Sequence, residues 1–291
     1  MPDPVTHTID VPGATLTYDV RGDLTDREQP VLLVIGSPMG ASGFPTLASH
    51  FADRTVVTYD PRGVERSVRS DGTGELTPDD HAGDLIALIE TLDVGPVDLF
   101  ASSGGAVNSL ALAARRPDLL HTLVAHEPPL AGIVPDSEAA LAACEDIYQT
   151  YQRDGMGAGM AKFIAIVSYD GEIPTDYTQQ PAPDPAMFGL PTEDDGSRND
   201  ALLGQNIRGC TSYQPDFDAL EKAKDRMVVG VGEESSNQLA GRGGQAVAAR
   251  LGLEPVVFPS GHGGFLGNEY DQPGKPEEFA TKLREVLAAR A

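Results

Sequence analysis

Short apolar segments that alternate with helical patterns constrain this chain more than any other feature of its sequence. Val31–Ile35 is a continuous apolar run, which is typical of a strand covered on both faces. Five similar segments follow it: Thr55–Tyr59, Val97–Ala101, Leu120–Ala125, Arg226–Val231 and Pro255–Phe258. Between them lie the helical patterns Pro45–Ala52, Asp79–Leu92, Gly104–Arg115, Asn237–Leu251 and Pro276–Ala289. This alternation predicts βαβ units, a mostly parallel sheet and the α/β fold class.

Both ends of the alternation are informative. Thr8–Val11 and Ala14–Val20 predict two further strands, which make an antiparallel edge and bring the sheet to eight strands. The alternation stops between about Pro128 and Asp225, where two helical patterns precede a stretch rich in Pro, Asp and Gly. We predict that residues 128–225 form a helical lid inserted between the sixth and seventh strands, with a core formed by residues 1–127 and 226–291. An independent second domain is the alternative.

Charge and cysteine content exclude several classes of function. The 291 residues carry 21 Lys and Arg against 44 Asp and Glu, a formal net charge of −23, which disfavours binding to nucleic acid or to an anionic membrane. No apolar run is long enough to span a bilayer, and no signal-peptide pattern is present, so we expect a cytoplasmic protein. Cys144 and Cys210 have no zinc-site spacing, and we expect two free thiols, no metal and no cofactor. The oligomeric state stays open, a homodimer included.

A strand that runs directly into a small-residue turn and then a helix marks the strongest candidate for chemistry. Ser103 stands in that turn, between Ala101 and Gly105. Such a turn lifts a serine above the sheet, and small neighbours are needed because the backbone there is strained and closely approached. Ser103 is therefore a candidate nucleophile, and an ordinary strand-to-helix turn with an exposed serine is the alternative.

Two further loops supply the partners that a nucleophilic serine needs. His262 lies among glycines after the last strand and before the final helix, which suits a base that takes and returns a proton. Ser37 ends the first long strand, and its N–H and that of Gly104 are candidate donors to an oxyanion. The alternatives are a structural histidine and a plain strand-to-loop turn.

These motifs, in this order along the chain, resemble the α/β-hydrolase superfamily. The matching segments are Ile35-Gly36-Ser37-Pro38, the turn Asp60–Ser67, the elbow Ala101–Gly105, and His262. The resemblance implies an α/β-hydrolase sheet flanked by helices, the chain order serine, acid, histidine, and a mainly structural role for Asp60, Arg62 and Ser67. Ala101 stands where the family has a glycine two residues before the nucleophile, and Glu65 stands in another glycine position.

The acid that would orient His262 has two candidates. The family's usual place, three residues past Gly232, holds Ser235, with Glu234 one position earlier. A second place that the superfamily uses is the end of the preceding strand, where Glu127 lies before Pro128. We favour Glu127 over Glu234, and a charge at the start of the lid is the alternative role for Glu127. By strand alternation His126 faces away from Glu127, so it is interpreted as a packed or surface residue.

Acyl transfer is the chemistry that this set of residues favours. Ser103, His262 and Glu127 are the predicted catalytic residues, and Ser37 and Gly104 the predicted substrate-binding donors. The prediction is a serine hydrolase of a carboxylic ester or lactone of a small, partly apolar substrate, because the lid offers apolar side chains for a pocket. The alternatives are a C–C bond hydrolase, a perhydrolase or a cofactor-free lyase on the same site, and a non-catalytic ligand-binding homologue.

Overall fold

The sheet that the sequence predicts is present in the computed structural model, which describes residues 3–26, 28–271 and 274–290. Within these ranges nine strands form one mixed sheet in the order β1-β2-β4-β3-β6-β7-β8-β9, with β5 paired to β2. The strands are β1 Val5–Val11, β2 Ala14–Arg21, β3 Leu32–Ile35, β4 Val56–Tyr59, β5 Val68–Arg69, β6 Val97–Ser102, β7 Leu120–His126, β8 Met227–Gly232 and β9 Val256–Phe258. Pairing is parallel from β4 to β9, and the predicted α/β class is confirmed.

Burial explains why the central strands read as apolar runs. Every residue of β3, β4, β6 and β8 is buried, because helices cover both faces of the sheet. The antiparallel edge formed by β1 and β2 agrees with the prediction. The two-residue strand β5 adds a ninth strand to the predicted eight, and it is too short to leave a periodic signal in the sequence.

The helices divide between the two faces. Helices α2, α3, α7 and α8 contribute apolar residues to the larger buried cluster on one face of the sheet, whereas α1 and α9 pack on the opposite face. Helix α2 begins with a capping box, in which Thr77 and Asp80 each accept a hydrogen bond from the other's backbone N–H. The helices are α1 Pro45–Ser49, α2 Pro78–Leu92, α3 Gly104–Arg115, α4 Ser137–Asp154, α5 Met156–Val167, α6 Ile207–Thr211, α7 Phe217–Ala223, α8 Leu239–Leu251 and α9 Pro276–Ala288.

The segment between β7 and β8 contains α4 to α7 and a π-helical turn at Ala201–Asn206. Helices α4 and α5 share a separate apolar cluster that includes Ile147, Tyr151 and Ile166. Helix α7 differs, because Leu220 and Ala223 pack into the cluster that covers the sheet. The last part of the 128–225 segment therefore belongs to the helical layer on the sheet. Among the described residues, no helix has both the length and the apolar character needed to cross a membrane.

Candidate active site

Ser103 occupies a strained turn between β6 and α3. Its backbone angles are φ 58° and ψ −129°, which a residue with a side chain rarely adopts. The Ser103 N–H donates to the carbonyl of His126 at 3.0 Å, which ties the turn to β7. A Cβ on Gly105 would lie 2.9 Å from Cα of Gly36, so only glycine lets α3 begin this close to the neighbouring loop. The turn therefore presents the serine at the carboxyl edge of the sheet.

His262 and Glu127 form a short hydrogen bond at the same edge. Nδ1 of His262 lies 2.6 Å from Oε2 of Glu127. The His262 side chain is 39% exposed, whereas the Glu127 side chain is fully buried, so the pair joins the interior to the surface. Because Nδ1 faces the carboxylate, it carries the proton of the neutral ring and Nε2 is left as the basic nitrogen.

The strand register brings Ser103 beside this pair. Ser102 pairs with His126 across the parallel strands β6 and β7, so the next residues, Ser103 and Glu127, leave the sheet side by side at the ends of neighbouring strands. In the part of the chain that the structure describes, the Ser103 hydroxyl forms no hydrogen bond, either with His262 or with another group. Catalytic hydrogen bonds are often unformed or poorly aligned in enzymes without a bound substrate.

Glu127 is held as an anion by three donors. Its Oε1 accepts from the Gly232 N–H at 2.8 Å and from the Ser235 hydroxyl at 2.7 Å, and Oε2 faces His262. Burial acts to raise the pKa of Glu127, but the hydrogen bond from His262, the electrostatic attraction of the His126 and His262 rings and the hydrogen bond from Ser235 together outweigh it and lower this pKa to about 2. Glu127 is therefore ionised at neutral pH.

Glu234 lies elsewhere, on the surface. Its Oε1 is 2.9 Å from Nζ of Lys275, and its Oε2 accepts from the Ser260 hydroxyl at 3.3 Å. The Lys275 ammonium lowers the pKa of Glu234. Among the described residues no hydrogen bond joins Glu234 to His262. Of the two carboxylates that the sequence offers, the structure brings Glu127 to the histidine.

His126 is packed in the interior, which is one of the two positions that the sequence analysis allows for it. Its Nδ1 lies 3.1 Å from Oγ of Ser102, and its ring centroid lies 6.1 Å from that of His262. Burial lowers the pKa of His126 to about 4, so the ring is neutral near pH 7. Its Nε2 is buried and has no hydrogen-bond partner among the residues that the structure describes. Four phenylalanines surround the ring: Phe100, Phe258, Phe265 and Phe279.

The loop after β3 packs tightly against the start of α3. A Cβ on Gly104 would lie 2.5 Å from the carbonyl oxygen of Ser37, so the two backbones are in direct contact. In the described ranges neither the Ser37 N–H nor the Gly104 N–H donates to a protein acceptor. Both N–H groups are therefore free for a ligand, and the N-terminus of α3 adds a favourable dipole for negative charge.

Asp60, Arg62 and Ser67 contact structural partners. Asp60 accepts from the Ala41 N–H at 2.8 Å, which supports the loop after β3. Ser67 donates to the Asp60 carbonyl at 2.7 Å. Arg62 pairs with Asp84 of α2, with 2.7 Å between Nε and Oδ2. The sequence reading did not select Asp84, although a carboxylate on the apolar face of a helix is a signal of a buried partner.

The insertion contacts the start of α3 through Cys210, a contact that the sequence analysis does not predict. Its Sγ is 3.4 Å from the Cβ that an alanine would have at position 104. Cys144 and Cys210 are both free, and burial raises their pKa values to about 11 and about 12. In the described residues no cluster of three or more His, Cys, Asp and Glu side chains is arranged to hold a metal ion.

Most of the apolar side chains that predicted a substrate pocket pack within the insertion instead. Five of them contact its own apolar cluster: Met156, Met160, Phe163, Tyr169 and Tyr177. Met187 and Phe188 are exposed at the surface. The apolar content of the segment is therefore explained largely by its internal packing.

Comparisons with known proteins agree with this architecture. Residues 29–163 match the family model described as alpha/beta hydrolase fold. An uncharacterized hydrolase of Bacillus subtilis, YraK, is 28% identical over 287 residues, which cover 96% of this chain and 95% of the relative. A thermophilic esterase from Thermogutta terrifontis is 21% identical, with 99% of each chain covered and a TM-score of 0.68. A carboxylesterase structure from Nitrososphaera gargenis is 16% identical, with 98% of each covered and a TM-score of 0.65.

The order of the strands, the turn at Ser103 and the family match lead to one assignment. The chain has the α/β-hydrolase fold, and the match over residues 29–163 and the relative from Bacillus subtilis support that superfamily. The predicted resemblance is thus confirmed.

Proposed function

We propose that this protein is a serine hydrolase that cleaves a carboxylic ester or lactone of a small, partly apolar substrate through an acyl-enzyme. The observation that carries the proposal is the 2.6 Å contact between Nδ1 of His262 and the buried carboxylate of Glu127, beside the strained turn of Ser103. A serine, an imidazole and an acid in this relation are what nucleophilic acyl transfer requires.

The proposed reaction has two halves. Oγ of Ser103 attacks the carbonyl carbon while Nε2 of His262 takes the hydroxyl proton, and the N–H groups of Ser37 and Gly104 bind the resulting oxyanion. His262 then returns the proton to the leaving alcohol. Water, deprotonated by His262, attacks the acyl-enzyme and releases the carboxylic acid and free Ser103. Loss of one oxyanion donor costs about 2.7–4 kcal/mol in comparable sites.

Glu127 supports this cycle electrostatically. With a pKa of about 2 it stays ionised while His262 gains and loses a proton. It holds Nδ1 protonated and stabilises the imidazolium that forms when Ser103 is deprotonated. A serine in the turn also disfavours dehalogenase or epoxide-hydrolase chemistry, which needs a carboxylate nucleophile there.

We also propose that the insertion acts as the lid of this site. Cys210 of α6 lies against Gly104, so the segment contacts the first turn of the nucleophile's helix. Esterases are among the structures that this chain resembles, and they support the ester-cleaving class.

A second candidate is a non-catalytic ligand-binding homologue. It is favoured by one observation, the lack of a hydrogen bond between Ser103 and His262 among the described residues. The two candidates differ in a simple property, because only an activated serine reacts covalently with an electrophilic phosphonate.

Labelling with a fluorophosphonate tests the proposal. We expect one adduct per chain, on Ser103, that is lost in Ser103→Ala and formed much more slowly in His262→Ala. p-Nitrophenyl esters of graded chain length then measure ester cleavage and the size of the acyl pocket. Folded wild-type protein that takes no label would favour the binding homologue. Labelling without turnover of any ester would favour the C–C hydrolase, perhydrolase or lyase alternatives.

A further inference from the structure

The turn after β8 contains a buried serine that the proposed mechanism does not use. Ser235 is 2% exposed, and its hydroxyl donates to Oε1 of Glu127 at 2.7 Å. We propose that Ser235 is a positioning residue, which fixes the Glu127 carboxylate so that its other oxygen meets His262. This inference rests on the proposed function, because it assigns a role within the same site.

The Glu127 side chain needs such a partner. A glutamate has three rotatable bonds, and burial of a flexible side chain in one geometry carries an entropic cost. Two donors on Oε1, the Gly232 N–H and the Ser235 hydroxyl, fix the plane of the carboxylate. The remaining oxygen, Oε2, is then directed at Nδ1 of His262.

The backbone around Ser235 is shaped for this contact. A Cβ on Gly232 would lie 2.4 Å from the Ser235 hydroxyl oxygen, so a side chain at position 232 would displace it. Gly232 thus leaves space for the hydroxyl and supplies the second donor itself. The geometry of both donors depends on one short turn, residues 232–235.

That turn is also joined to the loop that carries His262. The Glu234 N–H donates to the Ser260 carbonyl at 3.0 Å, and the Glu233 N–H donates to the Phe258 carbonyl at 2.9 Å. The Glu127 N–H in turn donates to the Gly230 carbonyl of β8 at 2.9 Å. The ends of β7, β8 and β9 are therefore connected, with the Glu127 carboxylate as the side chain that all three approach.

A second serine in this region provides a matched control. The Ser260 hydroxyl donates to Oε2 of Glu234 at 3.3 Å, a surface carboxylate that does not contact His262. Ser260→Ala removes a serine-to-glutamate hydrogen bond from the same pair of loops. It differs from Ser235→Ala in the carboxylate that loses its donor.

Steady-state kinetics with a p-nitrophenyl ester test the proposal. We expect Ser235→Ala to lower kcat about 10- to 100-fold, the effect of a lost hydrogen bond to a charged group, with KM changed less than about twofold. Ser235→Thr, which keeps the hydroxyl, should recover most of kcat. Ser260→Ala should match wild type.

Proton NMR of the full chain gives a readout that does not depend on turnover or on whether threonine fits. The His262 Nδ1 proton resonates far downfield when it is held by a carboxylate. We expect it to move upfield or to broaden in Ser235→Ala and to stay unchanged in Ser260→Ala. A general loss of packing would not select this proton.

Two results would overturn the proposal: a Ser235→Ala enzyme with wild-type kcat and an unmoved Nδ1 resonance, or a kcat loss that Ser260→Ala reproduces. These results are distinct from failure of the proposed function. In that case wild-type Ser103 takes no phosphonate label, while the Nδ1 resonance still reports whether Ser235 positions the Glu127–His262 pair.

Discussion

Two glutamates on neighbouring loops meet very different surroundings. In the Glu127 corner, formed by Glu127, Gly232, Ser235 and His262, the carboxylate is sealed from water, and groups of the protein donate its hydrogen bonds. The Glu234 corner, formed by Glu234, Ser260 and Lys275, is open, and its ion pair is exposed. A charge is worth more where water is excluded and donors are fixed in place. Burial and fixed hydrogen-bond donors, more than position in the sequence, therefore decide which carboxylate binds the histidine.

The largest expected effect comes from neutralising each carboxylate in turn. Glu127→Gln removes the charge that stabilises the imidazolium and allows the wrong tautomer of His262. We therefore expect kcat to fall about 10³- to 10⁴-fold. Glu234→Gln should keep kcat within about twofold, since exposed charges couple weakly to a site. Ester hydrolysis at saturating substrate measures both variants.

The same two variants can contradict the assignment of Glu127 as the acid. Equal losses, or a larger loss in Glu234→Gln, would assign the acid to the open corner. Circular dichroism of Glu127→Gln provides the control for folding, because an amide at a buried carboxylate position leaves Ser235 and Gly232 without a charged acceptor.

The sequence predicts the fold well because its signals there are local. Buried parallel strands show as apolar runs, and the turn at Ser103 shows as a run of small residues. The choice between Glu127 and Glu234 is not local, since it depends on how the turn after β8 approaches the end of β7. The contact of Cys210 with Gly104 likewise depends on how the insertion packs against α3, and the sequence near Cys210 does not predict it.

The stability of the fold at low pH should also differ between the two glutamates, with a smaller effect. The pKa of Glu127 is lowered from 4.5 to about 2 in the folded protein, so the unfolded chain binds a proton first as the pH falls. The stability that the ionised carboxylate contributes is fully present above about pH 4.5 and is lost between about pH 4.5 and pH 2, up to about 3 kcal/mol.

Urea unfolding at a series of pH values measures this loss. Relative to wild type, Glu127→Gln should show a flatter dependence of the free energy of unfolding on pH below 4.5. Glu234→Gln should run nearly parallel to wild type. A Glu127→Gln curve parallel to wild type would mean that the buried carboxylate does not titrate with a lowered pKa.

Two glycines, one beside the proposed oxyanion donors and one in α2, also differ in how closely their surroundings pack. A Cβ on Gly104 would lie 2.5 Å from the Ser37 carbonyl oxygen, whereas a Cβ on Gly83 of α2 meets nothing within 4 Å. Gly104→Ala must push Ser37 away from the proposed oxyanion, and we expect kcat to fall about 10²-fold. Gly83→Ala should keep kcat and raise the melting temperature, because alanine favours a helix. An active Gly104→Ala enzyme would remove Ser37 from the proposed site.

The smallest effect is expected at the ion pair of the open corner. Lys275→Met removes the ammonium that lies 2.9 Å from Glu234 and lowers its pKa. Because both side chains reach water, hydration of the carboxylate in the variant replaces the ion pair of the wild type. That ion pair is itself weak, since salt screens attraction between exposed charges. The urea midpoint at pH 7 and kcat should therefore both match wild type, at low and at high salt. A drop in kcat in Lys275→Met that Glu234→Gln repeats would show that this surface pair holds the His262 loop in place. The Glu234 corner would then help to position His262, a role assigned above to the Glu127 corner alone.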